Sequence, residues 1–97
     1  MRKNIIIAAV VATFSMPVMA DTPLENCKIV SNLANTIMER RQEGADMAGL
    51  LEIAKDSELA TMLIMEAYKQ PQFNTEAIKL RTIRNFKNNV MRECMED

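Results

Sequence analysis

Few residues in this 97-residue chain are equipped for chemistry, and the absences are as informative as what is present. There is no histidine, so the usual general base near neutral pH and the commonest metal ligand are both missing. Beyond residue 20, serine occurs only at Ser31 and Ser57, neither in a nucleophile-elbow pattern. The carboxylates are scattered over segments that read as helix surfaces, so the expectation is a protein that is not an enzyme and carries no cofactor.

The two cysteines, Cys27 and Cys94, are about 67 residues apart. Metal binding calls for more soft ligands than two thiolates can offer, and redox pairs usually take the form Cys-x-x-Cys. The two thiols could also be free, but a structural disulfide is the use expected here. The pairs Met62/Met65 and Met91/Met95 have helical spacings that could present thioethers to Cu(I). The same spacings suit core filling or an adaptable apolar groove, and core filling is the reading adopted, with no metal site.

A third constellation points to recognition. Arg40, Arg41 and Gln42 close one helical segment, while Tyr68 lies at the end of another and Pro71 and Phe73 just beyond it. If the fold brings these two places together, they form a patch of arginine and aromatic side chains, types enriched where partner proteins bind. The competing use is packing: Tyr68 and Phe73 plug the end of a small core, and the arginines complement a helix C-terminus.

The elements that must position these residues can be read from the N-terminal end. Arg2 and Lys3, an apolar run from Ile5 to Phe14 and the tripeptide Val18-Met19-Ala20 have the three parts of a cleavable export signal. The run is too short to cross a bilayer and Pro17 interrupts it, so residues 1–20 are expected to be removed and 21–97 to form one domain. The remaining stretch has ten lysines and arginines against thirteen acids. An acidic domain outside the cytoplasm makes nucleic acid an unsuitable partner. Its size leaves only a few kcal/mol of net stability, so a covalent staple is expected, and closing a loop of this length contributes about 4.4 kcal/mol in the chain-entropy treatment.

No segment alternates apolar and polar residues as a strand does, and the period of a helix is everywhere. The expected fold is all-α, with four helices. The first runs over about 23–43 from a capping box of Thr22, Pro23 and Glu25, with an apolar stripe through Cys27, Val30, Leu33/Ala34 and Ile37/Met38, and stops at Gly44. Asp46 caps a short second helix carrying Met47, Leu50, Leu51 and Ala54. Asp56 or Ser57 caps a third, whose buried face is expected to be Leu59, Met62, Leu63 and Ala67 before Pro71 ends it. A fourth begins after Asn74 or Thr75. With Asn74 as cap, Phe73 and Ile78 take the positions of a hydrophobic staple, and the stripe continues through Leu80, Ile83, Phe86, Val90 and Cys94.

If Cys27 meets Cys94, the two long helices run antiparallel and the short pair makes the return trip from the far end. Arg40, Arg41, Gln42, Tyr68, Pro71 and Phe73 then gather at the pole opposite the staple. Charge is uneven: residues 43–70 hold six acids and two lysines, and 74–92 hold five bases and one acid. The basic fourth helix therefore suits an acidic surface, which the same fold or a homodimer can supply.

Together, the export signal, an early Cys27, Ile37-Met38, Arg41-Gln42-x-Gly44, Met47, Leu50-Leu51, Ala67-Tyr68-x-x-Pro71-x-Phe73, Phe86 and a late Cys94 resemble small exported proteins of unknown function from Gram-negative bacteria and their phages. The resemblance covers nearly all of residues 21–97 and carries no activity. It implies a periplasmic location and a phage or prophage origin. The functional expectation is contact with another periplasmic or envelope protein through the Arg/Tyr/Phe pole. The alternative is a periplasmic stress chaperone, which resembles the acid-stress chaperones in overall plan but matches none of their motifs.

Overall fold

The structure is a computed structural model that describes residues 23–96; the export signal expected at 1–20 and the expected cap Thr22 lie outside the described residues. It contains four helices and, among the described residues, no strand: α1 Pro23–Gln42, α2 Met47–Ile53, α3 Glu58–Ala67 and α4 Glu76–Glu96. The all-α, four-helix expectation holds. Cys27 and Cys94 form a disulfide with their Cα atoms 5.7 Å apart, joining the start of α1 to the end of α4. At the other end the Lys79 ammonium reaches the Gln42 carbonyl at 3.0 Å, so α1 and α4 are antiparallel.

α1 buries Cys27, Ser31, Ala34, Ile37, Met38 and Gln42, residues three or four apart on one stripe. Ser31 fits on this apolar face because its hydroxyl donates back to the Lys28 carbonyl at 3.0 Å. The helix ends in a left-handed turn at Gly44, with φ +91°, where Gly44 N donates to Arg41 O and Ala45 N to Arg40 O. Asp46 caps α2 by accepting from Gly49 N at 3.1 Å. Ser57 caps α3 by accepting from Ala60 N at 3.1 Å, which decides between the two candidates there.

α1 packs along both α4 and α3, and α2 packs on α3. The core is Ala34, Ile37, Met38, Leu63, Ile64 and Ala67, surrounded by half-buried side chains of which α4 supplies Ile83, Phe86 and Val90. Both ends of α3 can be located from its partners. Its C-terminal turn lies against the end of α1, and Leu59 in its first turn lies near Cys94, so α3 runs parallel to α1 and antiparallel to α4.

The structure corrects three details of the pattern. α3 buries Ala60, Leu63, Ile64 and Ala67, leaving Leu59 40% and Met62 61% exposed. Its buried stripe is rotated toward α1, because small Ala60 and Ala67 permit close approach there. Leu80 is 52% exposed, since the inward stripe of α4 runs through Ile83, Phe86 and Val90 and the half-buried residues at its start are Ile78 and Lys79. The Thr75 carbonyl accepts the first bond of α4, from Lys79 N, so Thr75 occupies the cap position and Phe73 and Ile78 are out of register for a staple.

Candidate functional site

At the unstapled pole the chain brings together most of the residues singled out by sequence, and each is held by a specific partner. Arg41 donates through Nε to the Gln70 carbonyl at 3.1 Å, and its guanidinium lies 4.7 Å from the centre of the Tyr68 ring. The Tyr68 hydroxyl donates to the Ala45 carbonyl. Burial pushes the Tyr68 phenol above its usual pKa; Arg41 opposes this and Asp46 adds to it.

Gln42 is the centre of the arrangement and is 1% exposed. Its Nε2 donates to the Pro71 carbonyl at 2.9 Å and lies 3.6 Å from Met38 Sδ, while its Oε1 accepts from Phe73 N at 2.9 Å. The Gln42 main-chain carbonyl, orphaned at the end of α1, accepts from Lys79 Nζ and from Gln72 Nε2 at 3.2 Å. Arg40 pairs outward with Glu43 at 3.2 Å and is exposed, as is Pro71. These contacts clamp the α3–α4 connection onto the end of α1. Arg41, Gln42 and Tyr68 therefore direct their polar atoms into the chain.

A different feature is open to the outside. α3 and α4 both pack on α1 but not closely on each other, and a groove of about 330 Å³ lies between them. Val30 of α1 contributes to its floor. One wall is Leu59, Met62, Leu63 and Glu66 of α3 with Gln70 from the turn after it, and the other is Phe86, Asn89, Val90, Glu93 and Cys94 of α4. The cleft continues past Phe86 and Asn89 toward Phe73, where Thr82 and Asn85 line it. Leu59 and Met62, expected in the core, are the walls of this groove.

Its chemistry is apolar with an acidic edge. The lining has two carboxylates, Glu66 and Glu93, two amides, Gln70 and Asn89, and no cation. Nearby Lys69 is bound to Glu66 at 2.8 Å. Arg92 is turned to Asn89 and, at 3.8 Å, to Glu96. The opposite seam, between α1 and α4, is polar and basic, lined by Lys28, Asn32, Lys87 and Asn88 among others.

Ser31 and Ser57 are engaged in local backbone bonds, and among the described residues no group of His, Cys, Asp and Glu is placed to hold a metal ion. None of the described helices is long and apolar enough to cross a membrane. The groove could not be found by pattern alone: apolar residues of α3 signal burial, and only the packing of three helices shows that one side of them has no covering element. Comparison with protein-family models, with curated protein sequences and with solved structures gives no match.

Proposed function

We propose that this protein acts by protein–protein contact in the periplasm, holding an apolar segment of an envelope or periplasmic protein in the α3–α4 groove. The observation that carries the reading is the exposure of Leu59 and Met62 beside Phe86 and Val90, a continuous apolar surface that no element of the chain covers among the described residues. The disulfide and the export-signal pattern in residues 1–20 support a location outside the reducing cytoplasm. The Arg/Tyr/Phe pole contributes rigidity, since its clamp fixes the spacing of α3 and α4 at one end. Exposed Arg40 and Pro71 leave room for secondary contacts there.

Site-specific photo-crosslinking in periplasm tests this reading. A crosslinker at Met62 should yield a discrete adduct that a crosslinker at Arg81, on the basic side of α4, does not. Equal adducts from Met62, Arg81 and Arg40 would remove the groove from consideration. Release of the protein by osmotic shock checks the compartment, and placement of its gene among phage lysis or superinfection genes would support a viral origin.

A second reading, a stress chaperone, is favoured by the additional exposure of Ile29, Ile53 and Met65, which spreads apolar surface beyond one groove. It requires suppression of client aggregation at neutral or low pH; failure at both rules it out.

A further inference from the structure

The shape and charge of the groove specify more about its occupant than that it is apolar. We infer that the groove receives an amphipathic helix of a partner protein, one that carries lysine or arginine along the edges of its apolar face. This rests on the groove reading above and adds the partner's conformation and charge.

The conformation follows from what the walls offer. Both are helices, whose backbone N–H and C=O groups are engaged in their own ladders along the groove. An extended segment laid between them would find no backbone partners, whereas a helix satisfies its own. From Leu59 to Glu66 along α3, and from Phe86 to Cys94 along α4, the walls extend about 10–12 Å at 1.5 Å per residue, matching about two helical turns. With α1 as floor and α3 and α4 as sides, an added helix completes a bundle whose fourth position short α2, packed on the far side of α3, does not fill.

The charge follows from the lips. Glu66 stands on one and Glu93 on the other, with Gln70 and Asn89 beside them, and the lining contains no cation. Lysine or arginine flanking an apolar stripe would meet a carboxylate on either side, Glu93 directly and Glu66 in competition with its exposed partner Lys69, and an acidic helix would meet like charge most strongly at Glu93. Anionic lipid is disfavoured for the same reason. A second copy of this chain is a poorer fit. The combination of apolar and basic residues it could offer, Leu80, Arg84, Lys87 and Met91, lies on the other side of α4 from the groove, so its insertion would build open head-to-tail chains.

The test uses the oxidised protein recovered from the periplasm and three synthetic helical peptides of fourteen residues. They share one leucine/methionine face and differ only in having lysine, glutamine or glutamate at its edges. Fluorescence anisotropy at low salt should show the lysine-edged peptide binding about tenfold more tightly than the glutamine-edged one, with the glutamate-edged peptide weakest. The differences should shrink in 0.5 M salt, and the order should invert in Glu66→Lys/Glu93→Lys, whose fold is checked by circular dichroism. Equal binding of all three, abolished by Met62→Asp, would leave the groove function standing and overturn the charge assignment. Binding of an unstructured peptide of the same apolar content, with none by the helices, would overturn the helical occupant alone. Absence of binding by any peptide overturns both readings. Concentration-dependent self-association lost in Met62→Asp would give the groove to a second copy and overturn the inference, as would peptide-insensitive binding to anionic vesicles.

Discussion

Replacing Gln42 by alanine removes a donor to the Pro71 carbonyl and the acceptor of Phe73 N–H in one step. Because the site is buried, the orphaned groups lose solvent as well as their partner, and the expected loss is about 2–3 kcal/mol in urea denaturation. Two glycines give a paired prediction. Gly44→Ala places a side chain at φ +91°, with its Cβ 3.1 Å from Gln72 Nε2, and should cost about 1 kcal/mol. Gly49→Ala sits in helix α2 with only an ordinary 3.9 Å contact and should stabilise by about 0.5 kcal/mol in the same assay. At Tyr68 the sign follows from burial favouring the neutral phenol. A pKa raised above the ordinary value of 10.0 contributes stability that is present below pH 10 and lost as pH rises through the folded value. The difference in stability between wild type and Tyr68→Phe should therefore be flat at neutral pH and fall above about pH 10. The importance of Gln42 had a sequence signal, its position four residues after Met38 on the buried stripe, but the adjacent Arg40 and Arg41 suggested a surface.

Among the helices, α4 is held in an unusual way. It spans 21 residues and buries none of them fully; Ile83, Phe86 and Val90 are half-covered, Lys79 ties its start to α1, and the disulfide ties its end. Apolar burial is therefore a smaller part of its attachment than for α1 or α3, and the staple a larger one. Reduction should cost about 3–4 kcal/mol, read from denaturant midpoints with and without reductant. In the reduced protein, hydrogen exchange should accelerate first in α4, ahead of the central turns of α1. Element type and order were legible because caps and breakers act locally: Asp46, Ser57, Gly44 and Pro71 each exert their effect within a turn of their own position. The rotation of α3 was not, since Leu59 and Ala60 both continue a helical stripe, and the choice between them is made by how closely α1 can approach.

On the scale of the whole molecule, the sequence revealed a ring closed by one bond and a pole opposite it, and both are present. The groove was hidden because a one-dimensional pattern counts apolar residues but not covering surfaces. Leu59, Met62, Phe86 and Val90 all read as core, and three packed helices have room to bury them fully only if a fourth long helix is supplied. The charge asymmetry was visible early, yet its effect at the groove depends on which side of α4 turns inward. The bases Arg81, Arg84 and Lys87 lie away from the lips, and the carboxylates of Glu66 and Glu93 remain on them.

The link between Cys27 and Cys94 also bears on survival among proteases. Every peptide bond from residue 27 to residue 94 lies inside the covalent loop, including the exposed turn at Asp56 and Ser57 between α2 and α3. A single cut there cannot release a fragment: the nicked chain keeps both halves on one particle, with the clamp at Gln42 and the packing on α1 still able to hold them in register. Limited digestion should accordingly give one band on a non-reducing gel where a reducing gel shows two, and the nicked form should still bind whatever occupies the groove.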